Sequence, residues 1–187
     1  MSLRVIVVLM ISCLALAGCF HAESDILAES GAPCPVAEPT VYSRSQIDAG
    51  GETYEQPYAR ISPNGVECIV ESVDPDATGF AISIHVIIKT HPLGEGWHLV
   101  QMRHSSFEDV DLGLIRLSED RLEVYNPSCS DFLPDARTQF GLDSRCFVPT
   151  LAQAEAVMRA VSKLNRQPNQ VYLHAPPPAA DLKTPGP

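Results

Sequence analysis

Residues Phe80 to Lys89 constrain this chain more tightly than any other stretch. Phe80, Ile82, Ile84, Val86 and Ile88 fall on one side of an extended backbone, and Ala81, Ser83, His85, Ile87 and Lys89 on the other, so one face is wholly apolar. A period of two with so many β-branched side chains specifies a strand whose apolar face must be covered. His91-Pro92-Leu93-Gly94-Glu95-Gly96 then turns the chain and Trp97 to His104 returns it. Two further hairpins flank this one. Tyr58–Ser62 and Val66–Val73 are joined through Pro63-Asn64-Gly65, and Asn-Gly is favoured in tight hairpins because both residues accept positive φ. Asp111–Leu117 and Arg121–Tyr125 are joined through Ser118-Glu119-Asp120. A single helix is marked by Thr150 with Gln153 three residues later, after Pro149, and by the stripe Leu151, Ala154, Val157, Met158, Val161 and Leu164. It ends near Asn165, and Gln170 to His174 adds an edge strand. The expectation is an α+β domain: a mostly antiparallel β-sheet of five or six strands with one C-terminal amphipathic helix packed on it.

The register of the central hairpin stays open. If paired residue numbers sum to 187, His85 lies opposite Met102 and His104 is its diagonal neighbour; an even sum sets Val100 and Met102 over Val86 and Ile84 and leaves Arg103 wet. A slip of one residue exchanges the faces, and the apolar areas gained are too similar to decide.

The N-terminus is of another kind. Arg4 precedes an apolar run from Val5 to Ala17, shorter than the roughly twenty residues a spanning helix needs. The run ends in Leu16-Ala17-Gly18-Cys19, which resembles the lipobox of bacterial lipoproteins. The resemblance covers residues 1–19 and implies that 1–18 is a signal peptide, that Cys19 carries diacylglycerol and an N-acyl chain, and that the protein is anchored to a membrane without spanning it. Phe20, standing where an aspartate would favour inner-membrane retention, implies the outer membrane, with the domain in the periplasm. Residues 19–33 read as lipid anchor and flexible tether, 34–175 as a single globular domain, and the Pro-rich stretch 176–187 as a disordered tail. The stretch 35–56 reads as an arm without a core of its own, closed by Pro57.

Export suits the cysteines. Apart from Cys13 and Cys19 there are four, Cys34, Cys68, Cys129 and Cys146, and an oxidising compartment favours two disulfides. Cys34 with Cys68 and Cys129 with Cys146 each close a local loop. Structural zinc does not fit, since no C-x-x-C pair occurs. Charge excludes nucleic acid as a partner, the chain carrying a net charge of −10. Residues 20–80 hold eleven acidic and two basic residues, so a charge-steered partner is expected to be a basic protein, with Glu52, Glu55, Glu67 and Glu71 as its contacts.

Chemistry is less visible. There is no G-x-S-x-G, H-E-x-x-H, Walker or dinucleotide glycine pattern. Asp74 to Gly79 resembles the start of a calcium loop, but the twelfth position is His85 where a bidentate glutamate is required, so it reads as a plain turn. Asp109 and Asp111 share a face, but no third group sets their acidities apart. His85 and His104 are the one pair that a metal-binding enzyme or hydrolase could use, and two ligands do not make a site, so neither metal nor cofactor is expected. The loop Asn126 to Phe147, stapled by the second disulfide, is the expected contact surface, with Phe132 and Phe140 as its aromatic candidates. The function expected is that of a non-catalytic binding or interaction lipoprotein of the cell envelope, including inhibitor or immunity types. An envelope enzyme and a structural part of an envelope assembly are the alternatives.

Overall fold

Eight antiparallel strands follow one another around a ring, and the last returns to the first. The computed structural model describes residues 20–48, 50–73, 86–104 and 110–174, and only the backbone of Gln56, Pro57, Val73 and His104. Its strands are β1 (Phe20–Ala22), β2 (Thr40–Ile47), β3 (Thr53–Asn64), β4 (Glu67–Val73), β5 (Val86–Gly94), β6 (Trp97–His104), β7 (Val110–Leu117), β8 (Arg121–Tyr125) and β9 (Gln170–His174). Each strand from β2 to β9 pairs with its neighbours in sequence, and β9 pairs back onto β2 through Arg44↔Tyr172 and its flanking residues. The short β1 lies on the edge of β7 beyond the end of β8, with Phe20 opposite Leu112, whereas Leu114 of β7 faces Tyr125 of β8.

This overturns the expected open sheet of five or six strands with a packed helix: the domain is a closed β-barrel with short helices outside it. The reason lies in the arm. Residues 40–47 and 53–57 have too few apolar side chains to read as strands, yet their backbones supply one whole ring member, β2, and the first part of another, β3. Pro57 does not end the arm but lies within β3, where the register with β2 shifts between Tyr42↔Ala59 and Arg44↔Gln56. A bulge tolerates a residue with no N–H to give to the ladder. The tether expected over 19–33 is likewise drawn in from Phe20 onward, with Phe20, Ala22 and Leu27 fully buried.

The Asn64-Gly65 hairpin forms as expected, Asn64 facing Glu67 and Gly65 at φ 65°. In the central hairpin β5 continues to Gly94, and the turn is Glu95-Gly96, both at positive φ. A Cβ on Gly96 would lie 2.7 Å from the Leu117 carbonyl oxygen, so no other residue fits there. Ile88 faces Met102 and Thr90 faces Val100, so paired numbers sum to 190. Neither expected pairing forms, since Val86 faces His104 and not Val100, but the even parity does, leaving Val100 buried in the interior and Arg103 exposed. Residues 80–85, half of the expected strand, lie outside the described residues.

Two apolar clusters result, one on each side of the wall. The interior cluster includes Ile61, Cys68, Ile88, Val100, Ile115 and Tyr172. The outer one sets Leu99, Leu112, Leu114 and Tyr125 of the wall against the helix α2 (Leu151–Val161) and the stapled loop that carries α1 (Pro134–Gln139). Both disulfides pair as expected. Thr150 caps α2 by accepting from the Gln153 N–H at 3.3 Å, while the Gln153 amide donates to Phe140 O at 2.7 Å and ties helix to loop. The helix stops at Val161, leaving Leu164 outside it. Glu155 Oε1 lies 3.0 Å from His91 Nε2, and Arg159 donates to the Leu93 carbonyl, so α2 is fixed at the end of β5.

The segment after β1 is held by a buried amide. Gln101 is 5% exposed; its Oε1 accepts from the Leu27 N–H at 3.2 Å and its Nε2 donates to Asp25 Oδ1 at 2.7 Å. Burial alone would raise the Asp25 pKa, but Lys89, Gln101 and the Leu27 N–H outweigh it and hold the carboxyl below its ordinary value. The group binds its proton more weakly folded than unfolded, so its contribution is present above the ordinary carboxylate range and is lost as pH falls through the lowered value. Replacing Asp25 by Ala strands the Gln101 amide and should cost about 1–3 kcal/mol in urea unfolding at neutral pH, with a smaller difference near pH 3. An equal cost at both pH values would contradict the role given to this carboxylate.

Candidate ligand cavity

Alternation along the ring decides what faces inward. From β4 come Cys68, Val70 and Ser72, from β5 Val86, Ile88 and Thr90, from β6 Val100 and Met102, and from β7 Asp111 and Ile115. Near one end, Cys34 and Val36 pack among these interior side chains, and the Cys34–Cys68 disulfide fixes them there. The remaining space is a cavity of about 370 Å³. Eight-stranded barrels are near the limit at which side chains fill the interior, and ligand pockets begin at about 300 Å³. The described residues therefore leave space in this interior.

Its polar lining belongs mainly to the other end, where β8 finishes and β9 begins: Arg44, Ser72, Asp111, Asn126, Gln170 and Tyr172. Arg44 and Tyr172 face each other across the closing pair of strands. Burial raises the Tyr172 pKa, and the charge and hydrogen bond of Arg44 oppose this without reversing it. The Tyr172 hydroxyl donates to Gln170 Oε1 at 2.8 Å. Arg44 Nε, unlike the part of the guanidinium that meets Tyr172, is buried with no hydrogen-bond partner among the described residues. At the disulfide end, Thr90 Oγ1 and His98 Nδ1 are also buried without partners, on diagonal positions of β5 and β6. Burial, then the nearby His91, lowers the His98 pKa. A ring held neutral in this way avoids placing a second cation in the interior.

The residues singled out from sequence are not gathered at this cavity, with the exception of Asp111. Phe132 is buried, edge-to-face against Phe20 at 6.1 Å and Phe140 at 5.4 Å, so the two aromatic candidates form a small core inside the stapled loop. The exposed apolar side chain of that loop is Leu133, at 78%. Glu52 and Glu55 are exposed at the β2–β3 turn, where Glu52 Oε2 accepts from the Tyr54 hydroxyl at 2.7 Å. Glu67 lies at the opposite end of β3, roughly 35 Å away at about 3.3 Å per residue, and 3.8 Å from Lys89. Glu71 is paired with Arg60 at 2.5 Å. Cys19, His85 and Asp109 lie outside the described residues, as does the side chain of His104. Among the described residues no three His, Cys, Asp or Glu side chains converge as metal ligands.

Arg44, Gln170 and Tyr172 went unmarked in the sequence because each is polar or aromatic in a stretch with no apolar periodicity. Only the pairing of β2 with β9 brings them together. No family model, no curated protein and no solved structure matches this chain.

Space inside the barrel has a direct mechanical test. Val100→Phe adds bulk toward the cavity, and Val157→Phe adds the same bulk to the closely packed cluster outside the wall. The first is expected to change unfolding stability by less than about 1 kcal/mol and the second to cost about 1–3 kcal/mol. Equal costs would mean that the interior is as full as the outer cluster.

Proposed function

We propose that this protein is a non-catalytic binding lipoprotein of the cell envelope, anchored through acylated Cys19, that holds one small, largely apolar molecule inside its barrel. The observation that carries the reading is the cavity of about 370 Å³, walled by aliphatic side chains and carrying an unpartnered buried Arg44 Nε. A fixed site of this size with a few polar groups at one end suits a ligand that is mostly hydrocarbon. The anchor rests on the Leu16-Ala17-Gly18-Cys19 pattern. Phe20 is fully buried on β7, so an acyl group on Cys19 would hold the barrel close to the bilayer.

A basic protein partner has less support, because Glu52 and Glu55 stand far from Glu67 and Glu71 and both of the latter have cationic neighbours. An enzyme using His85 and His104 rests on side chains outside the described residues.

The neutral probe N-phenyl-1-naphthylamine tests the binding reading. One saturable site per chain is expected, with affinity reduced about tenfold or more by Val100→Phe. Absence of saturable fluorescence enhancement in the native protein would refute it. Cys19→Ser in the full chain should move the protein from the membrane to the soluble fraction of the expressing bacterium; unchanged membrane association would overturn the anchor.

A further inference from the structure

The cavity is not uniformly apolar, and its polar groups are unequal. Arg44 is half-buried and hydrogen-bonded to Tyr172, but its Nε is buried with no partner among the described residues. Its neighbour Tyr172 already gives its hydroxyl proton to Gln170 Oε1, so what remains free on Gln170 is the NH2 group, a donor. That side of the cavity thus carries one positive charge; the Tyr172 hydroxyl oxygen accepts from Arg44, yet the Nε donor of Arg44 stays unmatched among the described residues. Leaving a buried donor unsatisfied is costly, and a cationic donor more so.

Asp111 is the one carboxylate among the described residues that line the cavity. It stands on β7, three strands around the ring from β2, and makes no ion pair with Arg44. No oxygen of Asp111 is both buried and unpartnered, so the group that gains most from an incoming partner is Arg44. The aliphatic remainder of the wall, including Ile61, Val70, Ile88 and Leu122, gives the rest of the ligand nothing to bond to.

We propose that the occupant is a single-chain amphiphile with an anionic head, a carboxylate or a phosphate, whose head is met by Arg44 and the Gln170 amide while its chain lies along the aliphatic wall. The proposal rests on the barrel being a ligand site. Guanidinium presents its donors as a planar fork that matches both head groups, which gives the site a charge preference that hydrocarbon burial alone does not supply.

The test compares four probes of equal chain length against the native, folded protein by displacement of N-phenyl-1-naphthylamine: decanoate, decyl phosphate, decan-1-ol and decyltrimethylammonium. At least one anion is expected to bind about tenfold or more tighter than the alcohol, and the tighter of the two names the head group. In Arg44→Met this advantage disappears while the alcohol still binds; Arg44→Lys keeps part of it and so separates charge from a simple change of shape. Equal binding of acid, phosphate and alcohol to the native protein, or a preference for the ammonium probe through Asp111, would overturn the anionic head and leave the cavity reading standing. If N-phenyl-1-naphthylamine itself finds no site, the cavity reading falls and this inference falls with it.

Discussion

Pairing of β9 with β2 is the interaction on which the rest of the molecule depends. Five residue pairs, from Tyr42↔His174 to Gln46↔Gln170, join segments more than 120 positions apart and convert a meander into a ring. Closure leaves the ring with no free edge, which is the most complete protection a sheet can have against pairing with another chain. It also separates inside from outside. The connection between β8 and β9 must then run outside the ring, and there it folds into the stapled loop and α2.

That connection explains why the wall between β5 and β7 is apolar on both faces. Leu99, Leu112 and Leu114 point outward beneath α2 and the loop, while Val100 and Ile115 point inward. The outer cluster is tightly filled, and it is anchored by polar contacts at its margins: Gln101 with Asp25 and Leu27, Glu155 with His91, Arg159 with Leu93. The interior cluster is smaller and leaves space. The apolar packing outside the wall and the space inside it thus lie on opposite faces of the same strands, so under the proposed binding role the interior is spared the need to be close-packed.

Much of the local structure was legible in the residues. Asn64-Gly65 specified its hairpin, Thr150 its cap, and four cysteines in two local loops their pairing. The even parity of the central hairpin was among the alternatives, though with Val100 over Val86 and not Thr90, and it could not be selected because Leu99 and Val100 are both buried, one on each face. What the sequence hid was closure. A strand such as Thr40–Ile47 is stabilised by ladders on both sides and borders the polar end of the cavity through Arg44, so it carries no apolar stripe to announce it. The same concealment covered Arg44, whose role depends on a strand 130 residues away. Phe132 and Phe140 show the reverse case: aromatic side chains in a long loop suggest a contact surface, and here they pack edge-to-face with the loop around them.

A barrel with a largely apolar cavity and Arg44 at one end of it, on a chain whose Leu16-Ala17-Gly18-Cys19 resembles a lipobox, suits the proposed role of holding an amphiphile beside a membrane. The central claim is that the interior, not the outer surface, is where the ligand sits. The most direct measurement is a crystal structure of the protein grown with decanoate. The result expected is electron density along Ile61, Val70 and Val100 with the carboxylate within hydrogen-bond distance of Arg44. An interior closed by inward-turned side chains, with decanoate found only on the outer surface, would contradict the account.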